Sequence, residues 1–326
     1  MAPKIDLLLS AILLLTVLFT AGVFICLLVF SIKYRRGSRV DRSRPHNENL
    51  ILEITWSVIP LILGLCIFGW GADLFAQVRQ APPNAMQVYV IGKQWMWHIQ
   101  HANGVRENNE LHVPLGVPVK LTMISQDVIH DFFVPAFRLH QDVIPGHYTS
   151  EWFIPTEIGQ FPFFCSQYCG TNHSEMTGVV TVMQPAAFAR WLDSGGNTAR
   201  MPQSMEAAGK QVFDHKLCGS CHGPTDTPQG PSLVAIYGTQ RKLNTGQFVM
   251  ADDAYLRESI TDPYAKITAG YQDSMPQYPE LTEDQILQLV AYIKSMGGGI
   301  TQSEANKAIV QAAIVNAKSP GKAGKP

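Results

Sequence analysis

The sequence predicts a multidomain membrane protein: a two-helix transmembrane hairpin, an all-β sandwich or barrel, and a small all-α domain. Three observations predict it. Two long charge-free apolar runs lie in the first quarter of the chain, a stretch of short β-rich segments follows, and a helix-period stripe behind a capping signal marks the last third. At 326 residues the chain exceeds one typical domain of about 100–200. Charged residues are 16%, against about 25% in ordinary soluble proteins. A net charge of −1 gives no electrostatic footprint for nucleic acid.

Leu7 to Ile32 carries no charge. At ~1.5 Å per residue it reaches about 39 Å, enough for a bilayer core of about 30 Å with tilt. A cleaved signal peptide would have its positive charge in front of the run and a small-residue cleavage site behind it. Here Lys4 is offset by Asp6, and Lys33, Arg35, Arg36, Arg39, Arg42 and Arg44 come after. A second charge-free run covers Ile54–Ala72, with Pro60 tolerated as in other membrane helices. The expected spans are about 7–32 and 52–74 within a hairpin of residues 1–80. The basic loop 33–49 belongs inside, which puts the N-terminus and everything after about residue 75 outside. Glu53, at the inner edge of the second span, reads by itself as a solvated interfacial acid.

Residues 85–184 read as the β domain. Short runs (Met86–Ile91, Val117–Ser125, Tyr148–Ile154, Thr177–Met183) are punctuated by Pro and Gly. Val117, Val119, Leu121 and Met123 alternate with Pro118, Lys120, Thr122 and Ile124, the period of a half-buried strand. About 100 residues of such strands suggest an antiparallel sandwich or barrel.

One loop of this domain holds Cys165, Cys169, His173 and Met176 in the pattern Cys-x3-Cys-x3-His-x2-Met. A local disulfide, a zinc site and a blue-copper site are the simple readings. Thioether sulfur suits copper and is atypical for zinc, and mononuclear blue copper uses only one thiolate. Two thiolates able to bridge favour two coppers sharing one electron. A second histidine must come from His112, His130, His140 or His147, and chemistry alone does not choose among them.

Residues 185–204 read as a connector, with a short helical piece Pro185–Leu192 before a Gly/Ser-containing stretch. The helical domain, 205–298, opens near Cys218-Gly-Ser-Cys221-His222. Cys-x-x-Cys-His is the attachment signature of c-type haem: two thioether bonds hold the macrocycle and the adjacent histidine ligates iron. The opposite ligand should be a methionine, and Met250, Met275 and Met296 follow. Met275 is favoured because it stands in a loop before Pro276, whereas Met296 ends a helix and reads as packing. Thr282 with Gln285 makes a capping box, Ile286, Leu289, Val290 and Ile293 form an apolar stripe expected to pack on the domain's first helix, and Gly297 can end that helix. Between Gln203 and Ile300 seven Lys/Arg face eleven Asp/Glu, a balance that could steer a basic donor or simply be a solvated face. The tail 299–326 ends in a Lys/Gly/Pro-rich stretch expected to be disordered, with room for a helix before it.

The cysteine loop, the stretch Asp127-Val-Ile-His130-Asp-Phe-Phe-Val-Pro, Gln141-Asp-Val-Ile-Pro-Gly146 and Gly92-Lys-Gln-Trp95-Met-Trp97 resemble subunit II of haem-copper cytochrome c oxidases, over approximately residues 5–184. The resemblance implies a cupredoxin fold and a binuclear copper A centre ligated by His130, Cys165, Cys169, His173, Met176 and the carbonyl of Gln167. It implies that Trp95 accepts incoming electrons, although a half-buried aromatic on a β surface reads equally well, and that Glu53, in Leu52-Glu-Ile-Thr-Trp-Ser, stands at the mouth of a proton channel. The family usually carries Glu where this chain has Gln167. A neutral amide is a poorer ligand for a hard cation, which makes a magnesium ion at the contact with subunit I doubtful. Gly230-Pro-Ser-Leu233 and Gly270-Tyr-Gln-Asp-Ser-Met275-Pro are similar to the proline loop and distal methionine loop of class I cytochromes c.

The expected function is that of an oxidase subunit II with a fused cytochrome c domain, the caa type. Electrons from cytochrome c or a quinol-oxidising complex would pass through one covalent haem c and two coppers to the oxygen-reducing subunit I, with subunit III as a further partner, in the bacterial cell (inner) membrane and with both termini on the periplasmic side. The alternatives are a standalone membrane-tethered electron carrier and a copper A subunit of a nitrogen-oxide reductase.

Overall fold

The computed structural model describes residues 1–40, 49–196, 204–298 and 301–318. Arg42 and Arg44 of the basic loop, the connector residues 197–203 and the last residues 319–326 lie outside the described residues.

Two helices form the N-terminal body: α1 (Ala2–Lys33) and α2 (Leu50–Arg79). Both run beyond the expected 7–32 and 52–74, because helix formers flank the apolar runs and Asn49 caps α2 by accepting from the Leu52 amide at 3.1 Å. Most apolar side chains of both helices are exposed, Leu74 being a buried exception, and together with their length this makes them membrane-spanning candidates. Pro60 sits within α2 without ending it. Near one end of the pair, Lys4 donates to Gln77 at 2.8 Å.

From Ala81 onward the chain forms a second body. Ten strands build its sandwich: β1 (Met86–Lys93), β2 (Met96–His101), β3 (Arg106–Asn108), β4 (Glu110–Pro114), β5 (Val119–Ser125), β6 (His130–Val134), β7 (Leu139–Val143), β8 (Thr149–Phe153), β9 (Gly159–Cys165) and β10 (Thr177–Met183). One sheet has the order β3-β2-β1-β5-β8 and the other β4-β10-β9-β6-β7. The sheets are mixed where the sequence suggested purely antiparallel pairing: β1 runs parallel to β5, Met86 facing Val119, and β4 parallel to β10. Strand runs do not reveal direction, which is set by connections crossing from one sheet to the other. Between the sheets lie Trp97, Phe132 and Phe163, all fully buried; Trp97 stands edge-on to Phe132 with ring centroids 5.0 Å apart.

The alternation expected along β5 breaks at Ile124, which is as fully buried as Met123. Its outward face is covered: Tyr89, Ile91 and Ile124 cluster with Met205, Leu287 and Ala291 of the helical domain. That domain contains α4 (Met205–His215), a small hairpin β11 (Gln240–Lys242) and β12 (Phe248–Met250), α5 (Asp253–Thr261) and α6 (Glu283–Ser295). The capping box at Thr282 and Gln285 is formed. The stripe Ile286, Leu289, Val290 and Ile293 packs with Phe213 of α4, as its period requires. Gly209 permits the close crossing of these helices: a Cβ there would sit 1.9 Å from the Gln288 carbonyl oxygen. Gly298, at φ +72°, rather than Gly297 supplies the left-handed residue after α6.

Two further helices flank the sandwich, α3 (Pro185–Asp193) and α7 (Gln302–Lys318), the latter drawn from the tail. β2 pairs with β1 only from Val88 onward, and one residue earlier the Asn306 side chain bonds both backbone groups of Gln87, at 3.1 and 2.9 Å.

Candidate functional site

His130 opens β6, Cys165 closes β9 and Met176 immediately precedes β10, so three neighbouring strand ends fix the frame of the loop 166–175. Register tightens it: Phe132 faces Cys165, the Cys165 amide donates to Met176 at 3.0 Å, and the Ser166 amide donates to Asp131 at 3.2 Å. Cys165, Cys169, Met176 and His130 are buried, while His173 is half-buried and Gln167 exposed.

The donor atoms converge. Cys165 Sγ lies 3.7 Å from Cys169 Sγ, 3.8 Å from His130 Nδ1 and 3.2 Å from the Gln167 carbonyl oxygen. Cys169 Sγ lies 3.4 Å from His173 Nδ1 and 3.8 Å from Met176 Sδ. Both thiols are free, and a disulfide would need about 2.05 Å. Separations of 3.2–3.8 Å are those that tetrahedrally disposed donors take around ions bonded at about 2.0–2.3 Å. Two thiols, two imidazoles, a thioether and a carbonyl form a soft set that fits copper. His140, whose side chain is 70% exposed, pairs with Asp131; His147 is exposed, and His112 bonds the buried Glu107 on another part of the sandwich; none of the three joins the cluster.

Of the residues around these donors, sequence reasoning gave a role to Trp95 but none to Asp127 or Gln94. Asp127 accepts from His130 Nε2 at 2.8 Å and from the backbone amides of Gln94 and Val128 at 2.7 and 2.6 Å. Partial burial pushes its carboxyl up, but these hydrogen bonds outweigh it and hold the group below the usual carboxylate range. Burial and the neighbouring Cys165 push the Cys169 thiol up to about 12. Trp95 is half-buried, and its indole Nε1 donates to the Cys169 carbonyl at 3.2 Å, beside Gln94, which donates to the same oxygen at 2.7 Å. Gly170, at φ +115°, lets the loop pass under both: a Cβ would meet Gln94 Nε2 at 3.0 Å. The three-residue spacing of Asp127 to His130 in Asp127-Val-Ile-His130 is the signal that marks it, and Gln94 stands next to Trp95 in Gly92-Lys-Gln-Trp95 without a spacing that points to the loop.

Cys218, Cys221, His222 and Met275 line one cleft of about 330 Å³ in the helical domain. His222 Nδ1 donates to the Pro231 carbonyl at 2.8 Å, which leaves Nε2 as the free ligating nitrogen. Gly230 allows this approach, since a Cβ would sit 2.9 Å from the imidazole. The two cysteines are free and partly buried, and the cleft walls are largely apolar, from Leu233, Leu256, Leu289 and Ile293. Cysteine pair, ring nitrogen and thioether thus fit a haem. Met250 lies 48% exposed on β12 and Met296 packs against the helical core. Tyr278, which sequence reasoning passed over, also faces this cleft.

Glu53 stands exposed in the first turn of α2.

Comparison with known proteins matches both halves of this body. Residues 102–183 match the family of the cytochrome c oxidase subunit II periplasmic domain, and residues 206–297 match the cytochrome c family. The cytochrome c oxidase subunit 2 of Alkalihalophilus pseudofirmus is 30% identical over 286 residues, covering 84% of this chain and 82% of the relative. The chain belongs to the cytochrome c oxidase subunit 2 family. It is therefore a subunit of an oxidoreductase of the haem-copper oxidase class, with a cytochrome c domain that implies haem and a subunit II domain that implies copper A. An alternative cytochrome c oxidase subunit 2 of Bradyrhizobium diazoefficiens is 30% identical over 208 residues, 54% of this chain and 74% of that one. Among solved structures, the periplasmic domain of cytochrome oxidase subunit II from Bradyrhizobium japonicum is 27% identical, covering 36% of this chain and 96% of that chain at a TM-score of 0.35.

Proposed function

We propose that this subunit II relays electrons from cytochrome c or a related donor to subunit I through a covalent haem c and a binuclear copper A centre. One observation carries the reading: two free thiols, two imidazole Nδ1 atoms and a thioether converge within 3.4–3.8 Å links on a loop fixed by three strand ends. Copper held there would supply one-electron exchange. Cys165 and Cys169 would bridge, His130 and His173 would each offer Nδ1, and Met176 and the Gln167 carbonyl would complete the set, leaving no position for a substrate. Asp127 holds the His130 ring through Nε2, and strands on both sides resist rearrangement when the charge changes.

In the helical domain Cys218 and Cys221 would carry the thioether bonds, with His222 and Met275 as axial ligands. Trp95, bonded to the Cys169 carbonyl and partly open to solvent, is suited to bring electrons to the loop. The reading places residues 1–80, 85–184, 185–204, 205–298 and 299–326 as hairpin, cupredoxin domain, connector, cytochrome domain and tail. It sets the chain in the bacterial cell membrane, both termini outside, beside subunits I and III of a proton-translocating oxidase, with Glu53 near a proton channel. Gln167 argues against a magnesium ion at the subunit I contact.

Elemental analysis with a pyridine haem spectrum of the purified complex, after subtraction of subunit I, tests this. About two coppers and one haem c per chain are expected. A single copper, or zinc in its place, refutes the bridged centre. Oxygen rather than nitrogen-oxide consumption separates an oxidase from a reductase, and co-purification of a multi-span haem subunit separates both from a standalone carrier.

A further inference from the structure

Helix α6 is the wall between the haem cleft and the sandwich. Leu289 and Ile293 face the cleft, while Leu287 and Ala291, on the opposite side of the same helix, pack with Ile91 and Ile124. Ile91 precedes Gly92, where a Cβ would come within 3.0 Å of the His130 ring. Cleft, helix, strand and the His130 ring are thus in continuous contact.

Two polar contacts bind this arrangement from separate directions. Arg257 of α5, 9% exposed, grips Glu283 of α6 through Nη2 at 2.5 Å and Nε at 3.3 Å. Its remaining nitrogen, Nη1, crosses to the sandwich and donates to the Gly146 carbonyl at 3.0 Å, with the guanidinium 5.8 Å from the Tyr148 ring centroid. On the far side, Asn306 of α7 bonds both backbone groups of Gln87, and Glu206 of α4 accepts from the first amides of α7, Gln302 and Ser303, at 3.1 and 3.4 Å. The chain therefore leaves the sandwich for the helical domain and comes back to it, and both flanks of the interface are pinned by buried side chains.

We propose that Arg257 and Asn306 are positioning residues that lock the cytochrome domain onto β1 and β5, so that electrons cross to the copper loop through α6 and β1 in one fixed arrangement, without a swinging domain. This rests on the proposed relay. A single electron is exchanged, the haem iron being oxidised as the copper pair is reduced; no bond forms or breaks and no proton moves. The rate then scales with the fraction of time the domains are docked.

The test uses the assembled complex and the variants Arg257→Ala, Asn306→Ala and the double variant. The readouts are the rate of haem-to-copper electron equilibration after photochemical reduction of the haem, and hydrogen exchange of the β1 amides Met86–Ile91. The double variant should equilibrate at least tenfold more slowly and lose protection in β1, with the haem and copper spectra of the parent retained. Lys210→Ala, which breaks an exposed ion pair on α4, should change neither. If Arg257→Ala does not assemble, Arg257→Lys, which keeps the charge and loses the fork, is combined with Asn306→Ala and should show the same slowing. Equilibration within twofold of the parent, with β1 protection intact, overturns the lock. A parent enzyme in which the reduced haem never passes its electron to copper overturns the relay itself, a different failure.

Discussion

Asp127 takes the Nε2 hydrogen of His130 at 2.8 Å, and the ring's other nitrogen is thereby left facing the Cys165 sulfur. The carboxylate fixes tautomer and orientation before any ion arrives. Asp127→Ala should lower copper affinity by about 10–100-fold while leaving the sandwich folded, measured by competition with a copper chelator. Because the Asp127 carboxyl titrates below its usual range, its contribution is present above about pH 3.9, the ordinary aspartate value, and is lost as pH falls through the depressed value.

Copper loading should depend on pH in the opposite region. The Cys169 thiol, raised to about 12, is protonated at neutral pH, and a thiolate is needed for ligation. Apparent copper affinity should therefore rise with pH up to about 12, with proton release on binding. Isothermal titration in buffers of different ionisation enthalpy counts those protons; an affinity flat from pH 6 to pH 9 would refute the assignment.

Met275→Ala should lower the haem reduction potential, since a thioether axial ligand raises it, and should leave covalent attachment through Cys218 and Cys221 intact. Redox titration of the haem band reads the first, and a denaturing gel stained for haem reads the second. Met250→Ala should change neither, given its exposure on β12.

Glu151 is 6% exposed, and neither carboxylate oxygen has a partner. Burial, aided by the nearby Asp131, raises its pKa well above the usual range. The folded state thus keeps the proton that the unfolded chain loses near pH 4.3, so stability is full below that value and declines as pH rises toward the folded value. Glu151→Gln should stabilise the domain by about 1–3 kcal/mol at pH 7, by removing the cost of burying a group that would otherwise ionise, and should flatten that decline. Thermal melts of parent and variant across pH 4–8 measure both effects.

Gly209→Ala should be far worse than its helix propensity suggests. The added carbon would lie 1.9 Å from the Gln288 carbonyl oxygen and 2.8 Å from the Tyr292 Cβ, so α4 and α6 must separate. Overpacking costs of about 1–3 kcal/mol or more follow, read as a drop in melting temperature of the cytochrome domain.

Much of this architecture was legible because its signals are local. Charge-free runs announce α1 and α2, the Thr282–Gln285 pair announces α6, and Cys-x-x-Cys-His announces the cytochrome c domain. What was not legible depends on distant chain. The choice of His130 over His112, His140 and His147 came from resemblance rather than chemistry, since only pairing of β6 with β9 brings it to Cys165. Parallel pairing of β1 with β5 leaves no mark in either strand. The double-sided burial of Ile124 reflects a domain that begins about eighty residues later in the chain. Nothing in the composition of the tail announces that Asn306 finishes an edge left open at Gln87.

That last contact ties together stretches of chain that are far apart in sequence. Gln87 of β1 and Asn306 of α7 are separated by 219 positions, yet one asparagine amide closes the strand's backbone. Removing α7 should therefore leave that strand edge unpaired at Gln87 while Leu287 and Ala291 still pack on Ile91 and Ile124, read as faster hydrogen exchange confined to the start of β1.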